Sequence, residues 1–261
     1  MHLKPFKSRL KKLFHLPFRH YYNTQPHGTY RPSSKHIIAC RDGNLEEIKS
    51  STNVYSGTRT FHGLTDLMIC AKNGRTEVID YLLKFQSDKT INALDEKGRT
   101  AFYLACSGGY TETVKFLLES TRGIVYNSIC REGRTPFMIA CRYGRTSVVR
   151  EFLNIYHQSG NKNLGFSSDK EPQEETAFHY ACRSKTGPLV DLLLESKDKL
   201  RTFFDFDKKN SRGLTGYDLW PGKFADESSS KRQRIEEPAE SSTNSDSDIG
   251  DDESDSEDEF S

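Results

Sequence analysis

Four cations occupy one recurring place in this chain. Arg41, Lys72, Arg142 and Arg183 each follow directly on a pair of small residues, Ala39-Cys40, Cys70-Ala71, Ala140-Cys141 and Ala181-Cys182. A fifth pair, Ala105-Cys106, is followed by Ser107. Arg99 and Arg134 mark a second recurring place, and Tyr143 follows Arg142. Guanidinium groups hold carboxylates and phosphates through paired N–H donors, and a row of them steers anions from a distance. The chemistry on offer is therefore docking of an acidic or phosphorylated protein segment. Arg41, Lys72, Arg99, Arg134, Arg142, Tyr143 and Arg183 form the expected partner-binding set, with Arg142 and Tyr143 of the residue types that dominate interface energetics.

Catalytic chemistry finds no such pattern. The chain has no phosphate-cradling Gly-rich loop with a Lys, no His-Glu-x-x-His and no Gly-x-Ser-x-Gly. Five of its eight histidines are scattered through residues 1–36. Five of the six cysteines belong to the small pairs, where a thiol packs like an alanine. With no Cys-x-x-Cys pair, neither structural zinc nor any other metal or cofactor is expected, and no catalytic residue is assigned. Free thiols fit a reducing, intracellular compartment.

The elements that carry these residues repeat. Thr65, Thr100, Thr135 and Thr176 each open one phrase, as in Thr100-Ala101-Phe102-Tyr103-Leu104-Ala105-Cys106, and the first two steps are both 35 residues. Gly74, Gly109 or Gly144 follows three of these phrases, and then apolar residues at helical spacing: Val78, Ile79, Leu82, Leu83; Val114, Leu117, Leu118; Val148, Val149, Phe152, Leu153. That reads as a helix capped by the Thr hydroxyl, a left-handed glycine turn, and a second amphipathic helix. From each Thr to the last apolar residue is always 18 residues, so length varies only in the connections. Those connections end in an x-x-Gly turn before the Thr, the signature of a β-turn at a hairpin tip. In the fifth unit Glu174 and Lys185 replace the two glycines, which predicts a distorted turn or a lengthened first helix there.

The unit resembles the ankyrin repeat, most closely at Thr135-Pro136-Phe137 and Thr176-Ala177-Phe178-His179-Tyr180-Ala181. The resemblance implies an all-α solenoid of helix-turn-helix units with hairpin-like tips, built from five units and a partial sixth over residues 34–220. It also implies a non-enzymatic protein-binding module that uses its tips and the concave face of its first helices. His179 stands at the family's His position, where the side chain bonds to a neighbouring turn.

Both flanks read as solvated tails. Residues 1–41 hold nine Lys/Arg and no acid, and residues 235–261 hold twelve Asp/Glu and no base. Segment 1–33 is expected to be a basic, mostly disordered tail with a short amphipathic helix carrying Phe6, Leu10, Leu13 and Phe14, through which nucleic acid or a membrane surface is reached. Segment 221–261 is expected to be a disordered linker and acidic Ser-rich tail. Lys231, Arg232 and Arg234 fit a short nuclear-import signal, while Thr243, Ser245, Ser254 and Ser256 each have an acid three residues on, as acidophilic kinases require. The tail also resembles the PEST-like segment of the inhibitor-of-κB proteins.

These features describe a regulatory adaptor or inhibitor of nucleus and cytoplasm that binds partners carrying acidic or phosphorylated segments. Contact with its own acidic tail, masking of a transcription factor by that tail, and a scaffold anchored through residues 1–33 are the alternatives.

Overall fold

The computed structural model describes residues 34–50, 59–60, 63–159, 164–167 and 171–224. In chain order the helices are α1 (Ser34–Asp42), α2 (Leu45–Ser50), α3 (Asp66–Lys72), α4 (Thr76–Leu83), α5 (Asp88–Ile91), α6 (Ala101–Gly108), α7 (Thr111–Glu119), α8 (Pro136–Arg142), α9 (Thr146–Ser159), α10 (Ala177–Ser184), α11 (Gly187–Glu195) and α12 (Lys197–Leu200). A 3-10 turn, Tyr217–Leu219, packs on α10. A separate unit begins at Pro221, and its described part is a 3-10 turn, Pro221–Lys223. The basic tail 1–33, the import run and the phosphorylation candidates lie outside the described residues.

The first helices start where the Thr hydroxyl accepts an otherwise orphaned N–H. Thr65, Thr100, Thr135 and Thr176 accept from Met68, Tyr103, Met138 and His179 at 3.3, 3.1, 3.2 and 3.5 Å. Pro136 at the first helical position of α8 loses nothing, because its missing N–H would have had no partner. Left-handed residues turn the chain after the helices, as at Gly109 with φ 83°. A side chain there would also strike the Arg145 stem at 2.7 Å, so this glycine both turns the chain and lets the next unit close up.

Two rows result. Helices α1, α3, α6, α8 and α10 pack side by side, and α2, α4, α7, α9 and α11 form a second row behind them. A first helix is covered by two neighbours and its own partner, which is why Ala101 through Cys106 are all buried. A second helix has an open side and is amphipathic, with α7 burying Val114, Leu117 and Leu118. An aromatic seam joins the units: Phe152 meets Phe102 at 5.7 Å and Phe137 at 5.4 Å, and Phe137 meets Phe166 at 4.7 Å. No strand occurs among the described residues. The tips are turns, with one isolated bridge among the described residues, at Arg59–Thr65 in the second unit.

The fifth unit departs from expectation. Glu174 and Lys185 both take the left-handed conformation at φ 55°, and α10 has the same length as α6. At Lys185 the helices on either side of the turn are held by their neighbours, α10 by α8 and α11 by α9, so the left-handed strain is held rather than relieved. Lys185→Gly is therefore expected to raise stability by about 0.5–1 kcal/mol, the left-handed penalty less the extra entropy of glycine. Urea unfolding at fixed slope measures it. The connection after Leu153 also differs from a plain loop, because α9 continues to Ser159. The extra turns place Tyr156 against Phe166 and Phe203 at 5.6 and 5.3 Å.

His179 is fully buried and ties the fifth unit to the sixth. Its Nδ1 accepts from the Thr176 N–H at 3.2 Å, which leaves Nε2–H to donate to the Leu214 carbonyl at 3.0 Å. Burial pulls its pKa below the ordinary 6.5; the Leu214 carbonyl and Glu175 oppose this, and Arg183 and Lys208 reinforce it. A histidine held neutral stabilises fully above its unfolded value, and that contribution fades as pH falls below about 6.5. His179→Met, which copies the equivalent Met138, is expected to cost about 1 kcal/mol at neutral pH and to flatten the fall in melting temperature between pH 7 and 5.

A candidate docking face along the first helices

Three of the tips are shaped by one polar side chain each, outside the set expected from the sequence. Asp95 Oδ1 accepts from the Lys97 and Arg99 N–H groups at 2.9 and 2.8 Å. Glu171 Oε2 serves Gln173 and Glu175 in the same way at 2.8 and 2.7 Å, and Asn210 Oδ1 serves Arg212 and Leu214 at 3.0 and 3.1 Å. The position three residues before the tip glycine or its substitute (Asp95, Glu171, Asn210) was the available signal, since such side chains close turns on their own backbone. Neighbouring tips are joined directly: the Arg131 N–H donates to the Lys97 carbonyl, and the Ser211 N–H to the Gln173 carbonyl, both at 2.9 Å.

Between tips and first helices lies a cleft of about 100 Å³. Lys97, Arg99, Arg134, Ser107 and Tyr143 line it, with Glu132 as the acid at its edge. Small-molecule sites run about 300–1,000 Å³, so this cleft suits one inserted side chain and not a cofactor. Three residues of the expected set, Arg99, Arg134 and Tyr143, meet here. Lys97 joins them, and Tyr143 stands 52% exposed at the mouth.

The other members are placed differently. Arg41, exposed near the end of α1, pairs with its neighbour Asp42 at 2.8 Å. Lys72 ends α3 and is exposed. Arg142 ends α8, where its guanidinium lies 5.6 Å from the Tyr180 ring centre. Arg134 lies at the same distance from that ring, and its Nε donates to the Tyr180 hydroxyl at 2.9 Å. Tyr180 in turn donates to Glu171 at 2.7 Å, and burial, then Glu171, pushes its pKa up to about 12. Arg134 is thus held in position rather than swinging free, with Glu132 as its second partner.

Arg99 is fixed likewise, its Nε donating to the buried Asp95 at 2.7 Å. Arg183 plays a structural part. It bonds Glu175, whose carboxylate is buried and also faces Arg212 at 3.6 Å and Asn210 at 3.3 Å. Its guanidinium neutralises an interior charge, which sequence spacing could not reveal because Glu175 stands where other units have Leu64, Arg99, Arg134 and Leu214.

Helix pairs stacked in two rows, with polar tips along one edge, define a repeat-built protein-interaction module. A family model described as ankyrin repeats in three copies matches residues 36–129 and 123–203, and the chain belongs to the ankyrin repeat family. Proteins of this family are in general non-enzymatic interaction modules. No curated protein matches the chain.

Proposed function

We propose that this chain is a regulatory adaptor or inhibitor that docks an acidic or phosphorylated segment of a protein partner along its first-helix face. The cleft between the third and fourth units carries the proposal: Lys97, Arg99 and Arg134 converge on a space the size of one side chain, with an exposed Tyr143 at its mouth. Arg99 and Arg134 are already oriented by Asp95 and Tyr180, so a docking carboxylate or phosphate meets fixed donors and little ordering entropy is lost. Arg142 and Lys72 extend the positive charge along neighbouring helix ends. The proposed setting is nucleus and cytoplasm, supported by the Lys231-Arg232-Gln233-Arg234 run.

Affinity capture from a cell extract tests it, with the full chain and the double variant Arg142→Glu, Tyr143→Ala as baits. The wild-type chain is expected to retain a set of proteins that phosphatase treatment or added salt depletes, and the variant to lose them while melting at an unchanged temperature. Equal retention by both baits would count against the docking face.

A further inference from the structure

The junction of the first two units breaks the repeat pattern at three places, and all three meet. Aligned on the small pairs, His36 stands where later units have Leu67, Phe102, Phe137 and Phe178. Asp66 stands where others have Ala101, Pro136 and Ala177, and Cys70 where others have Ala105, Ala140 and Ala181. Cys40 fills its usual place. His36 and Cys40 are four residues apart on α1, and Asp66 and Cys70 four apart on α3, so each pair projects from one face of its helix. Helices α1 and α3 pack together, and all four residues are buried. The His36 Nε2 lies 3.0 Å from Asp66 Oδ2. The nitrogen, sulfur and oxygen donors of His36, Cys40 and Asp66 all lie within 4.8 Å of one another. Cys70, one turn along α3 from Asp66, is fully buried on the helix that packs against α1. Asp66 Oδ1 is buried and accepts no hydrogen bond among the described residues.

We propose that His36, Cys40, Asp66 and Cys70 bind a zinc ion that clamps the first unit to the second. Two thiol sulfurs, an imidazole and a carboxylate are a donor set that zinc accepts in closed tetrahedral sites, whereas calcium and magnesium require oxygen ligands throughout. Tetrahedral bonds of about 2.0–2.3 Å put ligand atoms roughly 3.3–3.8 Å apart, so the widest separation among His36, Cys40 and Asp66 closes by about 1 Å while the 3.0 Å His36–Asp66 contact opens slightly, and Cys70 turns in as the fourth ligand. Zinc with two thiolates, one carboxylate and a neutral imidazole carries a net charge of −1. Arg75, whose Nε donates at 2.8 Å to the Arg41 carbonyl one residue after Cys40, supplies the nearby compensation. Zinc binding expels the two thiol protons and replaces the direct His36–Asp66 contact with a coordinated centre.

The test is cobalt titration of the reduced, metal-stripped full chain, followed by displacement with zinc. One equivalent of Co²⁺ is expected to give the visible bands of a tetrahedral site and a near-ultraviolet thiolate band, both erased by Zn²⁺. Cys40→Ser and Asp66→Asn are expected to weaken binding at least about 100-fold. Cys70→Ser should retain a site with roughly half the thiolate intensity, one sulfur of two, which keeps the test open where a variant folds poorly. Cys182→Ser, at the equivalent of Cys40 in a unit without the His and Asp, should change nothing. Zinc should also raise the melting temperature of the wild-type chain and not of Cys40→Ser. Absence of the bands at stoichiometric cobalt, or bands that survive in both Cys40→Ser and Asp66→Asn, would overturn the proposal and leave a plain buried His36–Asp66 pair.

Discussion

Phe152→Ala is expected to lower the unfolding free energy of the repeat array by about 3–5 kcal/mol, the range for deleting a buried aromatic ring. Phe152 is fully buried in α9 and meets both Phe102 of the third unit and Phe137 of its own. Its loss removes apolar burial and leaves a cavity in the seam between neighbouring units. Because each unit in a stack touches only its neighbours, weakening a central interface uncouples the two halves. Thermal or urea unfolding should therefore not only shift but broaden, and a partly unfolded intermediate should accumulate. Phe152→Leu, which keeps most of the volume, should recover much of the loss. A sharp transition with less than about 1 kcal/mol of change would mean that the seam does not couple the units.

Arg183→Glu is expected to be nearly as costly, about 3–5 kcal/mol, because it places a second carboxylate against the buried Glu175. Arg212 at 3.6 Å and Asn210 at 3.3 Å remain but cannot offset two acids. The damage should stay local to the fifth and sixth units, whose tips share this cluster. Hydrogen exchange should show α10 opening while α6 stays protected, and the pair Arg183→Leu, Glu175→Leu should restore stability by removing both charges. Loss of partner binding in Arg183→Glu would report unfolding, not docking. This separates Arg183 from Arg142, which neutralises no buried acid and remains the informative charge to reverse.

The architecture is legible in the sequence because it rests on periodic, local chemistry. Thr135 caps α8, Gly109 turns left-handed, and Val114, Leu117 and Leu118 mark one face of α7, all as their spacing dictates. The turn at Lys185 is not legible, because propensity alone disfavours it while packing from two sides decides it. The extension of α9 is hidden as well, since its reason, Tyr156 meeting Phe203, spans 47 residues of chain.

The docking face is legible only as a set of recurring cations. Spacing shows where they recur but not which of them already serve a buried acid, as Arg99 and Arg183 do. Lys97, the third cation of the cleft, gives no periodic signal because it has no counterpart of like charge at most other tips. The four-residue cluster at the first junction escapes for a related reason: its ligands come in pairs on two helices rather than as Cys-x-x-Cys. Its trace in the sequence is the departure of His36 and Asp66 from the repeat pattern.

The most direct test of the docking account is a hydrogen-exchange footprint of the full chain with a phosphoserine-rich acidic peptide, against a basic peptide of equal length. Exchange is expected to slow at the tips 95–99 and 130–134 and at the ends of α6 and α8, with the effect weakening as salt rises. Protection confined to α4, α7, α9 and α11, or no difference between the two peptides, would contradict it.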